Sequence, residues 1–252
     1  MTPVTASDVE RHLQSMFIDA AGTSLRREDL KKAVEVAALL DELGRLGRRG
    51  PLVDVAAGKA YLGLLAVELL GFEQLVIIER NPARLADARH AMTRLTRAAN
   101  ITLQQGDVGD RALWPGEPSA VVALHACGPA SDAVIDATIG SEAKWLLLVP
   151  CCYSAEVPFF AAAQAHAERL GLPRHAEVQK RFVQSLIDAE RTLRLEAAGW
   201  ETTVVPFVAP TVTPHNLLFR ARRVREPRRM AEAARRREQL VSGGEERLEQ
   251  AP

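Results

Sequence analysis

Leu52-Val53-Asp54-Val55-Ala56-Ala57-Gly58-Lys59-Ala60-Tyr61-Leu62-Gly63 is the stretch whose reading decides the fold. Its first four residues are apolar except for Asp54, its middle is small, and a helical pattern opens at Tyr61. A strand apolar on both faces, running through a tight turn into a helix, is how a covered parallel sheet begins. The pattern then repeats. Short apolar runs recur at Leu75–Ile78, Ile101–Gln104, Ala120–Leu124 and Trp145–Val149, separated by helix-period stretches at Tyr61–Leu70, Pro82–Ala98, Pro129–Thr138 and Val157–Leu170. The expected core is a doubly wound α/β domain with five parallel strands. An amphipathic helix follows, with Phe182, Leu186, Ala189 and Leu193 on one face. Two strand candidates come next, Glu201–Val208 and Asn216–Val224. The loop between them is too short for a parallel crossover, so they close the sheet as an antiparallel pair.

Before Pro51 the reading is helical. Ser7 and Glu10 have capping-box spacing, and Val9, Leu13, Met16 and Phe17 share a face. A second helix spans Arg26 to Leu46 with a stripe of Leu30, Val34, Ala37, Leu40 and Leu43, broken by Gly47–Pro51. The expected organisation is an N-terminal helical extension (1–50), the α/β domain (51–224) and a basic tail (225–252), helical or disordered. Nine arginines and three glutamates lie between Arg220 and Glu238. Such a run is either a solvated face or a phosphate-contacting arm.

Composition narrows the class. The chain has 252 residues, 47% apolar, with 32 basic and 32 acidic side chains. That length buries a sizeable core, and the charge balance excludes a polycationic coat or an acidic disordered chain. No apolar run approaches the about eighteen residues of a membrane span, and the polar stretch Met1–Glu10, with no basic region followed by an apolar one, leads us to expect no secretory signal. Three cysteines, two of them adjacent, make a poor disulfide framework. A cytoplasmic protein with no membrane association is the expectation.

The chemistry gathers at the strand ends. Asp54 ends the first strand, where a carboxylate repels a pyrophosphate and suits a cationic amino-acid group. Glu79, 25 residues later, ends the second strand, where an acid accepts ribose hydroxyls. Asp107 follows the third. Three acids on successive strand ends line the crevice where open α/β sheets bind ligands. The fourth strand runs into His125-Ala126-Cys127-Gly128 and then Asp132, and the fifth into Cys151-Cys152-Tyr153.

These residues resemble the class I S-adenosylmethionine-dependent methyltransferases, whose Rossmann-like sheet has five parallel strands and a closing antiparallel pair. The resemblance implies S-adenosylmethionine as cofactor. Asp54 and the Ala56–Ala60 turn, with Gly58 and Lys59, would hold its methionine part. Glu79 would hold the ribose, Asp107 and Val108 the adenine, and His125 and Cys127 would lie beside it. The family pattern has glycine where this chain has Ala56 and Ala60, so a tightened pocket is expected. Within the family, the chain looks like a branch carrying H-x-C-G-x-x-[ST]-D and C-C-[YH], which includes methyltransferase-like proteins and acceptor-stem tRNA 2′-O-methyltransferases. The resemblance spans Leu52 to Tyr153, with a looser echo at Thr213–Leu218.

The branch and the arginine run favour RNA as acceptor; a protein or small molecule stays open. His125 is either a base for the acceptor or a loop hydrogen-bonder. Tyr153 either orients a planar acceptor or caps the core. Asp132 caps or braces its helix. No metal is expected, because vicinal cysteines rarely point at one ion and no C-x-x-C spacing supports a closed zinc site. Missing partner motifs argue against a deaminase and an adenine N-methylase. A nicotinamide-dependent oxidoreductase and a non-catalytic module of the same fold are the alternatives. Asp54 and the absent first glycine oppose the former, and the Ala56 and Ala60 departures suggest the latter.

Overall fold

The computed structural model describes residues 3–18, 24–47 and 50–243. Seven strands form one sheet: β1 (Leu52–Val55), β2 (Gln74–Glu79), β3 (Asn100–Gln105), β4 (Ala120–Ala126), β5 (Trp145–Pro150), β6 (Trp200–Pro206) and β7 (Leu217–Arg223). Their order is β3-β2-β1-β4-β5-β7-β6. The first five are parallel; β7 inserts between β5 and β6, antiparallel to both. This is the doubly wound sheet with a closing antiparallel pair that the apolar runs predict. All four residues of β1 are buried, which matches their unbroken apolar character and makes Asp54 the exception to be explained.

Helices cover both faces: α1 (Ala6–Leu13), α2 (Arg27–Gly44), α3 (Tyr61–Leu65), α4 (Pro82–Met92), α5 (Ala130–Gly140), α6 (Phe160–Arg169), α7 (Ala176–Ala197) and α8 (Pro227–Ser242). Val9, Leu13 and Met16 of the N-terminal segment and Val36, Leu39, Leu40 and Leu43 of α2 share one continuous core with α3 and one face of the sheet. Among the described residues no helix is long and apolar enough to cross a membrane.

Several local expectations shift. The α1 capping box is built by Thr5 and Asp8, not by Ser7 and Glu10: Thr5 Oγ1 accepts the Asp8 N–H, and Asp8 accepts the Thr5 N–H. Aspartate at the third helical position closes the same reciprocal pair that glutamate would. The stripe of α2 is rotated, with Ala33, Val36, Ala37, Leu40 and Leu43 inside and Leu30 42% exposed. The helix expected to reach Ala98 stops at Met92. The Glu68 carboxylate captures the Thr96 and Arg97 N–H groups, and those bonds replace helical ones. The amphipathic helix whose pattern is read from Phe182 already begins at Ala176. In α7 the inward face is Val183, Ile187, Glu190, Arg191 and Leu195, with Phe182 and Leu186 only partly buried.

That face of α7 carries charge because α5 offers the opposite charge. Asp132 accepts from fully buried Arg191 at 2.7 Å (Oδ2 to Nη2), and Arg194 also reaches it. Asp132 thus braces its helix, as expected, through partners that the sequence did not name. Nη1 of Arg191 has no hydrogen-bond partner and lies 3.8 Å from Asp188. A buried pair adds little over apolar packing, but deleting one member strands the other's charge. Arg191→Ala should therefore destabilise the fold by about 3–5 kcal/mol in denaturant unfolding. A loss below about 1 kcal/mol would show that Arg194 compensates the Asp132 charge without Arg191.

Candidate active site

The sheet order reverses between β1 and β4, and outside the carboxyl ends of the strands at this switch point lies a cleft of about 250 Å³. Its walls come from Ala56 after β1, Glu79 at the end of β2, Asp107 and Val108 after β3, and His125 and Cys127 at β4. These six residues of the expected site are brought together; Ile78, Arg80, Arg84, Gly106 and Ala130 complete the lining. The volume is a little below the roughly 300–1,000 Å³ of most small-molecule sites. Arg80 and Arg84, long and exposed, form the adjustable part of the wall.

Glu79 is 4% exposed, and its carboxylate ties two turns together. Oε2 accepts the Gly58 N–H at 2.8 Å, and Oε1 accepts the Asn81 N–H at 2.9 Å. A carboxylate offers about four lone-pair directions, so acceptor capacity toward the cleft remains. Opposite it, Asp107 Oδ1 accepts the Gly109 N–H at 2.9 Å, and Trp114 Nε1 donates to the Val108 carbonyl, holding the loop after β3.

The turn after β1 is left-handed at three residues, Ala56 (φ 51°), Gly58 (φ 58°) and Ala60 (φ 58°). The two alanines that replace the glycines of the resembled pattern thus occupy the backbone region where a Cβ costs roughly 1–2 kcal/mol. The path of the turn is retained at the expense of strain. A Cβ built on Gly58 would meet nothing within 4 Å, so the space over the turn is open.

Asp54 and Lys59 lie elsewhere than expected. Lys59 is exposed and pairs with Asp87 at 3.2 Å, outside the cleft lining. Asp54 is 2% exposed, behind the turn, and accepts the Gly63 N–H at 2.8 Å. A Cβ at Gly63 would sit 2.8 Å from Asp54 Oδ2, so only glycine permits the contact. Burial pushes the Asp54 carboxyl up to about 7, opposed by the Gly63 hydrogen bond and reinforced by the Glu79 charge.

His125 sits in a β-bulge. Register between β4 and β5 shifts between Leu124 and Ala126, and His125 takes φ 64°. Bulges re-aim side chains beside functional sites. The ring turns toward α2, where Nε2 lies 2.9 Å from Glu35 Oε2, a carboxylate also bound by Lys32. Burial pushes the Glu35 carboxyl up, but hydrogen bonds from His125 and Lys32 outweigh it and hold it below its ordinary value. A carboxylate only accepts, so Nε2 carries the proton and Nδ1 keeps its lone pair in the neutral ring. Sequence reading missed Glu35; the signal was a lone acid amid Ala33, Val34, Val36 and Ala37.

Tyr153 is not part of this cleft. Its hydroxyl donates to both oxygens of Asp188, at 2.8 and 2.9 Å, and Arg191 lies over its ring. Burial, then the Asp188 charge, pushes the phenol far up, so it stays protonated. With His215 and Arg181 it lines a neighbouring hollow beyond β5. Burial, with help from the Lys180 and His125 charges, holds His215 below its ordinary value.

The cysteines depart most from expectation. Ala126 pairs with Pro150 across the strands, so Cys127 and Cys151 leave the sheet side by side. Cys151 and Cys152 do not point apart: their sulfurs are 3.5 Å from each other, and all three sulfurs lie within 4.8 Å. Burial pushes the Cys127 and Cys151 thiols up, leaving them neutral near pH 7.

Residues 28–157, just over half of the chain, match the sequence family described as Methyltransferase domain. The chain belongs to this methyltransferase-domain family. The match begins within α2, the helix that supplies Glu35. Curated relatives carry the name Glutathione S-transferase C-terminal domain-containing protein. The one from Bos taurus is 26% identical over 186 residues, covering 66% of this chain and 29% of its own. The Xenopus laevis protein is 24% identical over 219 residues, covering 78% and 35%. The chain thus spans about a third of the length of the curated relatives it matches. Among solved structures, magnesium protoporphyrin IX methyltransferase from Synechocystis PCC 6803, with bound SAH, has TM-score 0.50 at 13% identity, covering 87% of this chain and 100% of that one. A putative rRNA-methylase from Clostridium thermocellum has TM-score 0.50 at 12% identity, covering 74% and 93%. At such identities the likeness is one of fold, the Rossmann-like methyltransferase sheet. Family membership removes the ground for a nicotinamide-dependent oxidoreductase.

The Asp54 carboxyl of this methyltransferase domain gives its stability a pH signature. Between its ordinary 3.8 and about 7 the folded protein holds a proton that the unfolded chain has released. Stability contributed by the protonated group is complete below about 3.8 and is lost as pH rises toward 7. Asp54→Asn should flatten that decline in denaturant unfolding measured from pH 4 to 8, after subtraction of the other groups' slope. An identical slope in wild type and variant would refute the assignment.

Proposed function

We propose that this methyltransferase domain binds S-adenosylmethionine in the switch-point cleft and transfers its methyl group to RNA. The observation that carries the cofactor part is Glu79, a buried carboxylate at the tip of β2 with spare acceptor capacity on the cleft. In this reading Glu79 accepts the ribose hydroxyls. Asp107 and Val108 flank the adenine, and the open backbone at Gly58 admits the methionine end. Asp54 acts from behind the turn, holding Gly63 and with it the start of α3. The bound sulfonium supplies both the methyl group and its own leaving group. The chain is left to exclude water, align the acceptor and take a proton. His125, held by Glu35, presents Nδ1 for that last task.

We also place the chain in the branch carrying H-x-C-G-x-x-[ST]-D and C-C-[YH]. Support comes from His125–Asp132 and Cys151–Tyr153 following neighbouring strands.

Support for an RNA acceptor moves away from the tail. Arg220, Arg222, Arg223, Arg225, Arg229, Arg236 and Arg237 each pair with a glutamate, which spends the charge of the run on docking α8 and closing the sheet. Arg80 and Arg84, at the cleft mouth, show no carboxylate partner among the described residues, and Arg181 stands at the neighbouring hollow. Cations at a cleft mouth suit a phosphate backbone.

Calorimetric titration with S-adenosylmethionine and its demethylated product tests the cofactor reading. Both are expected to bind wild type, and Glu79→Ala should weaken both at least about tenfold, a loss of about 1.4 kcal/mol. Absence of binding by wild type refutes the reading. Binding without transfer of labelled methyl to any RNA fraction points to a cofactor-binding module. For RNA, Arg80→Glu with Arg84→Glu should lower affinity and reduce the salt slope by about two, roughly one for each phosphate no longer neutralised. Truncation after Arg225 should change the slope less. The reverse ranking returns the interface to the tail.

A further inference from the structure

We propose that Cys127, Cys151 and Cys152 form a three-thiolate site for a zinc-class ion on the wall of the cleft. The three sulfurs already lie within 4.8 Å of one another, and the Cys151 and Cys152 sulfurs are 3.5 Å apart. With zinc–sulfur bonds of about 2.3 Å, tetrahedral thiolates sit about 3.8 Å from each other. The observed sulfurs therefore need to move by no more than about 1 Å to close on one ion, within the reach of a side-chain rotation.

The backbone explains why they converge. β4 and β5 are parallel neighbours, and after the bulge at His125 the pairing of Ala126 with Pro150 delivers Cys127 and Cys151 to the same level above the sheet. Cys152, next in the chain, turns its sulfur back toward Cys151. Soft thiolate ligands select zinc and its relatives over hard cations. His125 is not among the ligand atoms that converge with the three sulfurs. A site with three protein ligands and an open fourth position is the catalytic type, not the closed structural type. Cys127 also lines the cleft, so water or a lone pair of an incoming group from the cleft takes the fourth place. This site stands on its own geometry and does not rest on the cofactor reading.

Metal uptake by the reduced 252-residue chain, stripped beforehand with a chelator, is the test. One zinc per chain is expected by competition with a chromophoric chelator. Cobalt should give thiolate-to-metal charge-transfer absorption and the visible bands of tetrahedral coordination. Cys127 and Cys152 are exposed, so Cys127→Ser and Cys152→Ser should keep the wild-type circular dichroism while each weakens zinc at least about tenfold; second-sphere partners alone are worth about 10–100-fold. Zinc should also slow labelling of the wild-type thiols by a disulfide reagent. No uptake, or uptake unaltered in the Cys127→Ser/Cys152→Ser double variant, overturns the proposal. Zinc uptake by protein that fails to bind S-adenosylmethionine would uphold this site while refuting the cofactor reading.

Discussion

A parallel sheet with helices on both faces has no wet face, so polar chemistry is confined to the ends of its strands. Everything functional in this protein follows from that constraint. β1 is buried along its whole length, and the charge it carries, Asp54, is tolerated only because the Gly63 N–H meets it and because its proton is held more tightly. Glu79 is treated similarly at the end of β2, where two turn N–H groups converge on it. Glu79 links the sheet to the turns beside the cleft, and Asp54 links it to α3. The apolar interior thus shapes the site by making each buried carboxylate recruit backbone donors, which sets the course of the turns.

The same economy governs the helices. Glu35 of α2, Asp132 of α5 and Arg191 of α7 are buried charges on inward faces, and each has an opposite charge or a ring nitrogen waiting on another element. Glu35 connects the N-terminal helices to the cleft through His125, so α2 takes part in the site as well as in the core. The Asp132–Arg191 pair connects the helix after β4 to the one that precedes β6, and Asp188 extends the connection to Tyr153 beyond β5. Tyr153, read as orienting an acceptor or capping the core, gives its hydroxyl to Asp188 and lines the hollow beyond β5.

The arginine-rich end follows a like logic. Read as a charge run it points to nucleic acid, but in three dimensions most of its guanidinium groups have glutamates within reach on α2, α7, β6 and the segment before β5. Individually such exposed pairs are worth little. Their collective effect is to cancel the field that would attract phosphates from a distance. Among the described residues of the run, Arg228 and Arg235 form no such pair, and neither do Arg80 and Arg84 at the cleft mouth.

What the sequence alone determined is what depends on local periodicity. Runs such as Leu52–Val55 and Trp145–Val149 are apolar on both faces only if both faces are covered, and the short link between the last two strands forces them antiparallel. The fold and the location of Glu79, Asp107 and His125 at one edge follow from those patterns. The tertiary structure decided what depends on register and on contacts distant along the chain. A one-residue bulge at His125 brings Cys127 level with Cys151, and no periodicity in the sequence announces it. Glu35 meets a ring 90 positions away, and Arg220 meets Glu42 across 178. Such pairings are set by how elements pack, because a side chain's partner is chosen by space and not by its neighbours along the chain.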